Sequence, residues 1–466
     1  MDHEETHSIE GTRVNMLSGG LFGKIIRFAL PLAASSILQQ LFNSADTAVV
    51  GRFAGSQAMA AVGANSPVIN LIVSLFVGLS VGANVLVASL IGKKLKRDIS
   101  TAVHTVICIS LISGVFLLFL SLAVSRPVLE LINTPTDVIE QAVLYLRIYS
   151  LGMPFIMMFN FSSAILQSMG NSRRPLAALV TAGIVNVALN LLLVIVFGLG
   201  VAGVAIATVI SNVISSGMLL YTLIHEPDPF HLDLKKLRID KSDLVRILRI
   251  GVPAGLQGMV FTLSNTIIQS ALNGFGSSAV AGSTAALNYE FIIYYAINAF
   301  NSATVTFTSQ NYAAGQYDRC KKIFRITFFS ALLSSICLEI LFLAGRQFCL
   351  GLFSTDPTVI HYASLRFWNI LLFEALAVTY EIPGSAMRGM GYSMLPAVLT
   401  ILGTCVIRIL WIYFIFPLFG TFEFLMYVYP ASWILTGAMV STAYFIMRRK
   451  CFREITPVPE TVKTPN

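Results

Sequence analysis

The stretch Ser35-Ser-Ile-Leu-Gln-Gln-Leu-Phe-Asn-Ser-Ala-Asp-Thr47 lies inside an apolar run, at about 22–50, that is long enough to cross a bilayer. Within it Ser36, Gln39 or Gln40, Asn43 and Asp46 recur every three or four residues. On a helix that spacing lines one face. The stripe ends in a carboxylate. An acid at the centre of a spanning helix costs at least about 2.5 kcal/mol, so it marks a candidate functional site. A helix that crosses a membrane with a polar stripe needs other helices to cover the stripe, and the rest of the chain supplies them.

With 56% hydrophobic and 12% charged residues, the chain is too apolar for an ordinary globular protein. Long apolar runs alternate with short charged joints, the pattern of a polytopic helical membrane protein. No cleavable signal peptide is expected: the first twenty residues are polar, and the apolar segment behind them is too long for an h-region. The basic residues sit in the joints, which argues against a nucleic-acid partner. The six cysteines are scattered without a CxxC and without a His pair beside them, so neither a disulfide framework nor a zinc site is expected.

Twelve spans are expected, at about 22–50, 57–90, 101–124, 137–168, 175–197, 202–224, 244–272, 279–312, 321–345, 358–388, 395–418 and 424–447. Lys and Arg cluster in the even joints, at Lys93–Arg97, Arg173–Arg174, Lys235–Lys241 and Arg319–Arg325, and again in the tail at Arg448–Arg453. The odd joints hold only Arg52, Arg126 and Arg346. The positive-inside rule then places both termini in the cytoplasm.

The chain also repeats. Lys24-Ile-Ile-Arg-Phe-Ala-Leu-Pro31 matches Arg246-Ile-Leu-Arg-Ile-Gly-Val-Pro253 at an offset of 222, which carries Asn43 onto Asn265 and Arg97 onto Arg319. Gln167-Ser-Met-Gly170 matches Arg388-Gly-Met-Gly391 at 221. Six spans repeated in one orientation are a parallel duplication, and secondary transporters built this way bind substrate between their halves. The expected division is a cytoplasmic tail at 1–20, an N-lobe at 21–224, a cytoplasmic linker at 225–243, a C-lobe at 244–447 and a second tail at 448–466. Pro31 and Pro253 open repeat-related spans, each as a static kink or a hinge. Gly78 with Gly82, and Gly251 with Gly255, are GxxxG pairs suited to close helix packing.

Two polar constellations stand out. In the first half, Asp46 and Asn43 are joined by Asn186 and Asn190 on one face of span five, and by Thr208, Ser211, Asn212 and Ser215 on span six. One carboxylate, several amide oxygens and a hydroxyl suit a proton or a hard cation such as Na⁺, with Asp46, Asn186 and Asn190 as possible ligands. For the Asn and Thr residues, interhelical hydrogen bonding is the plain alternative. In the second half, Glu290 lies among aromatics in Asn288-Tyr-Glu-Phe-Ile-Ile-Tyr-Tyr295, and Glu374 and Glu381 are seven apart on span ten. Glu290, Tyr294, Glu374 and Glu381 are candidates for an organic cation. The alternative is an internal ion-pair set of Glu374 or Glu381 with Arg366 or Arg408.

Asp46-Thr-Ala-Val-Val-Gly51 with Ala60-Ala-Val-Gly63, the Met169-Gly170…Pro175 joint, and Asn186…Asn190…Gly200-Val-Ala-Gly-Val-Ala-Ile-Ala-Thr208 resemble the multidrug and toxic compound extrusion (MATE) family over nearly the whole chain. The resemblance implies an all-α protein of twelve transmembrane helices in two pseudo-symmetric six-helix lobes around a central cleft. It implies export of cationic drugs in exchange for H⁺ or Na⁺, with no other cofactor and no enzymatic activity. The family's N-lobe cation site carries over onto Asp46, fifteen residues after Pro31, and onto Asn186 and Thr208. Asn190 stands where many members have a second Asp, so one carboxylate remains and the coupling ion and stoichiometry stay open. Acids that one branch carries on helices seven and ten are unmatched, near Val260 or Phe261 and near Ala377, so no C-lobe ion site is carried over.

The expectation is a monomeric antiporter of the cytoplasmic membrane. A related flippase of lipid-linked sugars would need a basic cleft for pyrophosphate, for which Arg147, Arg366 and Arg408 are the in-membrane candidates. An intramembrane enzyme would need a nucleophile with a base, or clustered metal ligands. His104 and His361 are isolated. His3-Glu-Glu-Thr-His7 and Gly78-Leu-Ser-Val-Gly82 match the HExxH and GxSxG strings, but the first lies in the polar stretch ahead of the first span and the second inside an expected span rather than at a strand-to-helix turn, so neither has the context its chemistry needs.

Overall fold

The structure, a computed structural model, describes residues 13–132 and 134–453. All regular elements among them are helical. In chain order the long helices are Phe22–Phe53 (α1), Ser56–Gly92 (α2), Lys96–Leu131 (α3), Ile139–Ser150 with Met153–Ser168 (α4), Arg173–Val196 (α5) and Gly200–Ile224 (α6). They are followed by Lys241–Asn273 (α7), Ser277–Ala313 (α8), Tyr317–Ala344 (α9), Pro357–Gly389 (α10), Met394–Phe419 (α11) and Phe422–Phe452 (α12). Among the described residues ten of these are long and apolar enough to cross a membrane, and the two parts of α4, bent by 49°, make an eleventh. Pro154 sets the bend by opening the second part, where its missing N–H costs no helical bond. The twelfth, α8, is 37 residues long but holds Asn, Gln, Thr and Ser along its length, and it falls short on hydropathy alone. The protein is a multi-pass membrane protein.

The helices form two lobes, α1–α6 and α7–α12, with exchanged packing at their first turns. Ile25, Phe28, Ala29 and Leu32 of α1 sit in the C-lobe core, whereas Val50 near the other end of the same helix sits in an N-lobe core. Helix α7 mirrors this: Ile247 packs in the N-lobe, and Ile268 and Leu272 in the C-lobe. Pro31 and Pro253 each lie inside these unbroken helices, Pro31 toward the end of the C-lobe-packed part of α1 and Pro253 between the N-lobe-packed and C-lobe-packed parts of α7.

The lobes meet along α2, α7 and α8. A Cβ on Gly78 would run into the backbone of Gly255, and one on Gly82 into the carbonyl of Ile247. The two GxxxG pairs are thus packed against each other. Thr306 Oγ1 donates to Asn84 Oδ1 at 3.0 Å across the seam, and these two residues are 222 apart, so repeat mates touch at the pseudo-twofold axis. Ser309 Oγ reaches Val85 O at 2.9 Å, and Gln310 Nε2 reaches Ser168 O at 2.6 Å. All these contacts lie in the halves of α2 and α8 that run toward the basic joints. Farther from those joints, Asn70 of α2 and Gln39 of α1 are exposed. Overpacking a tight helix contact costs about 1–3 kcal/mol. Gly82→Leu should therefore lower the melting temperature in detergent, and an unchanged melting curve would show that the seam tolerates separation.

Of the tails expected at 1–20 and 448–466, residues 1–12 and 454–466 lie outside the described residues. The stretch after the first of them is firmly seated. Met16 is 1% exposed, its carbonyl accepts from Asn311 Nδ2 and Arg319 Nη2, and Val14 N donates to Gly170 O. Arg13 pairs with Glu226. Residues 13–19 therefore tie the joint after α4 and the end of α6 to the α8–α9 joint.

Candidate functional site

Helix α1 approaches α5 closely because Gly183 presents no side chain: a Cβ there would overlap the ring of Phe42. On the same face of α5, one and two turns on, stand Asn186 and Asn190, both buried. Opposite them is Asp46, 7% exposed. Asn190 Nδ2 donates to Asp46 Oδ1 at 2.5 Å and to Asn186 Oδ1 at 3.2 Å. Thr208 Oγ1, from α6, lies 3.4 Å from Asp46 Oδ2 and bonds its own helix at Val204 O. Immediately after Asn190 the backbone of α5 widens into a π-turn, Leu191–Val196, a device common at functional sites.

The cluster has two notable gaps. Asp46 has no ion-pair partner among the described residues. Asn190 Oδ1 is buried with no hydrogen-bond partner. A carboxylate at membrane depth with neutral neighbours and a partnerless amide oxygen beside it is a set of oxygen donors. No group of three His, Cys, Asp or Glu side chains that could hold a metal ion is present among the described residues. Asn43 is not part of the cluster. It is exposed, and among the described contacts its carbonyl accepts from Thr47 Oγ1. Ser211 bonds Ala182 O and Ser215 bonds Asn212 O, so both are spent on backbone. Tyr145 and Tyr149 of α4 stack on each other at 5.9 Å and lie close enough to Asp46 to feel its charge. Nothing local in the sequence marks this pair.

A cavity of about 650 Å³ lies between the lobes. Its N-lobe wall is neutral, with Ser36, Gln39, Asn160 and Gln167. Its C-lobe wall holds Gln257, Tyr294, Asn301, Glu381 and Arg388. Asp46 does not line it.

Of the four C-lobe candidates, the structure brings two to this cavity, Tyr294 and Glu381. Glu290 is elsewhere: both its oxygens accept from Arg366, at 2.7 and 2.8 Å, in a buried bidentate pair. Its partner lies 76 residues along the chain, and no local pattern shows it. Glu374 does not share a face with Glu381, because Leu371–Ala377 winds as a tighter 3₁₀ turn and breaks the register. Glu374 instead lies in the lobe interior, within electrostatic reach of Glu290, Glu339, Arg366 and Arg408. Arg408 is fully buried, donates to Asn265 Oδ1 at 2.8 Å and to Ser432 Oγ at 3.2 Å, and lies 4.5 Å from the ring centre of Tyr429. The alternative of an internal ion pair between Glu374 or Glu381 and Arg366 or Arg408 is not met among the described residues, where Arg366 pairs with Glu290.

The MatE family profile matches residues 31–192 and again 253–414. The chain belongs to the MATE family. It is 27% identical over 386 residues to the probable multidrug resistance protein YoeA of Bacillus subtilis (strain 168), covering 80% of this chain and 82% of that protein. It is 26% identical over 361 residues to an FAD transporter of Shewanella oneidensis, covering 76% and 78%. Its fold matches the outward-facing conformation of a multidrug resistance MATE family transporter with a TM-score of 0.85, at 23% identity, over 95% of this chain and 98% of that one. Proteins of this family are ion-coupled transporters of small molecules and not enzymes, and this chain is one of them.

The two profile matches are themselves offset by 222 residues. On that register the MATE repeat carries Asn186 onto Arg408 and Asn43 onto Asn265, the two C-lobe residues that bond each other at 2.8 Å. Where the N-lobe has an oxygen cluster around Asp46, the C-lobe has a fixed guanidinium.

Proposed function

We infer that the chain exports amphipathic organic compounds bearing a cationic group, in exchange for H⁺ or Na⁺, by alternating access of its two lobes. The observation that carries this is Asp46, buried without a charged partner beside the orphaned Asn190 oxygen. A proton or Na⁺ arriving there completes the cluster and pulls α1, α5 and α6 together. Helix α1 also packs on the C-lobe below Pro31, so a change at Asp46 is transmitted to the relation between the lobes. That gives Pro31 the part of a hinge. Ion and substrate then need different affinities for the two states of the seam, or nothing is coupled. Sequence relatives named as multidrug resistance proteins support the export reading.

The flippase reading finds no support in the cavity. Arg147, Arg366 and Arg408 do not line it, and Arg388 is its single basic residue among those described. For the export reading, purified protein reconstituted in vesicles should drive uptake of ethidium under an imposed pH or Na⁺ gradient and stop when the gradient is collapsed. Uptake indifferent to both gradients would refute it.

The proposed setting is the cytoplasmic membrane, with the chain as a monomer and lobes at 21–224 and 244–447. Both termini and the 225–243 linker then face the cytoplasm. On this topology the inter-lobe contacts Gly78–Gly255, Asn84–Thr306 and Val85–Ser309 lie toward the cytoplasmic side. A single cysteine replacing Lys236, in a cysteine-free background, should be protected from an impermeant thiol reagent in intact cells. Ready labelling there would invert the topology.

A further inference from the structure

The geometry points to a zwitterionic substrate, with an anionic group seated at Arg388 and a cationic group at Glu381. This deepens the export reading above and rests on it for the cavity's role. Glu381 and Arg388 are the only acid and the only base that line the cavity among the described residues. They are seven residues apart on the regular helix Val378–Gly389, so they stand one above the other on one face, about 10 Å apart along the axis. No ion pair within 4 Å joins them among the described residues. Each is held by a neutral amide: Asn301 Nδ2 donates to Glu381 Oε2 at 2.9 Å, and Arg388 Nη2 donates to Gln257 Oε1 at 2.5 Å. Arg388 Nε is buried with no hydrogen-bond partner.

Two opposite charges fixed apart in one cavity select by charge as well as by shape. A plain cation gains Glu381 but meets Arg388, and a plain anion meets the converse. A ligand carrying both charges several bonds apart satisfies both residues and adds no net charge to a site inside the membrane. A cavity of about 650 Å³ falls in the range that holds a small organic molecule. The N-lobe wall is uncharged and Asp46 lies off the cavity, so substrate and coupling ion use different carboxylates.

The test is fluorescence binding to purified protein with three matched probes: Nα-dansyl-lysine, which carries a carboxylate and a distant ammonium, its methyl ester, and its Nε-acetyl derivative. The parent protein should bind the zwitterion at least tenfold more tightly than either single-charge probe. Arg388→Gln should erase the preference over the ester, Glu381→Gln the preference over the acetyl form, and Arg388→Lys should retain both. Equal affinities for the three probes in the parent, no binding of any of them, or variants that weaken all three alike would overturn the proposal. Should a neutralised variant fail to fold, the comparison of probes on the parent decides it. Binding is read without a gradient. Charge-selective binding with no gradient-driven movement would sink the antiporter reading and leave this assignment standing, whereas gradient-driven efflux of ethidium with no probe selectivity would do the reverse.

Discussion

Asp46→Asn should yield a folded, membrane-inserted protein whose efflux no longer follows an ion gradient. The replacement keeps the shape and the hydrogen-bonding reach to Asn190 and Thr208, which in the parent lie 2.5 and 3.4 Å from the carboxylate. It removes the negative charge that a proton or Na⁺ would neutralise. Coupling free energies are typically about 1–3 kcal/mol, or roughly 5–150-fold in the affinity ratio of the two states, so a protein that loses its ion site loses most of its driven transport. Substrate binding should survive, because Asp46 does not line the cavity. The measurement is efflux from reconstituted vesicles under imposed pH and Na⁺ gradients, beside equilibrium binding of the same compound. Efflux near the parent rate would move the coupling site elsewhere, and Glu381 and the buried Glu374 would become the groups to examine. Asn190→Asp offers the complementary result. It restores a second carboxylate on α5, and a change in the ion that drives transport, read as a different response to Na⁺ and to pH, would show that the two side chains share one site.

The fold was legible because its signals are local or periodic. Apolar runs, basic joints and an offset of 222 need no contacts to be read, and the same offset reappears in the bond between Asn84 and Thr306. The N-lobe cluster was legible for a related reason. Asn186 and Asn190 share a face of α5, and polar groups at membrane depth must face protein. Asn43 failed the same test. The stripe it belongs to winds around α1, which packs on different lobes at its two ends, so one continuous face meets several environments. The C-lobe was misread where the regular helix stops. The even spacing of Glu374 and Glu381 assumes 3.6 residues per turn, and the 3₁₀ winding of Leu371–Ala377 sends the first into the lobe and leaves the second on the cavity. Arg388, which the sequence shows only as part of the Arg388-Gly-Met-Gly391 repeat at the end of the tenth span, is a cavity residue that only its position between the lobes reveals.

Glu290→Ala should be among the most destabilising single changes in the C-lobe. The pair it breaks is buried on both sides, with Glu290 6% and Arg366 3% exposed, and bidentate at 2.7 and 2.8 Å. Removing one partner of such a pair costs about 3–5 kcal/mol, because the other charge stays behind without water. For Arg366 the remaining company is the ring of Tyr429, 5.6 Å away, and the like charge of Arg408, 4.5 Å from the centre of the same ring. Glu374 lies within electrostatic reach of Arg366, so part of the loss is recovered if that acid takes over as counter-ion. Adding Glu374→Ala should then cost more than the two single losses combined, since the groups act as one network. Replacing both members of the pair, Glu290→Met with Arg366→Met, should recover most of the stability, as buried ion pairs exchanged for apolar groups of similar size are often neutral or better. Melting temperatures in detergent for the single and double variants give the comparison. A single Glu290→Ala variant as stable as the parent, with altered substrate preference instead, would return Glu290 to the role of a substrate-reading acid and would require a route from the cavity to its carboxylate.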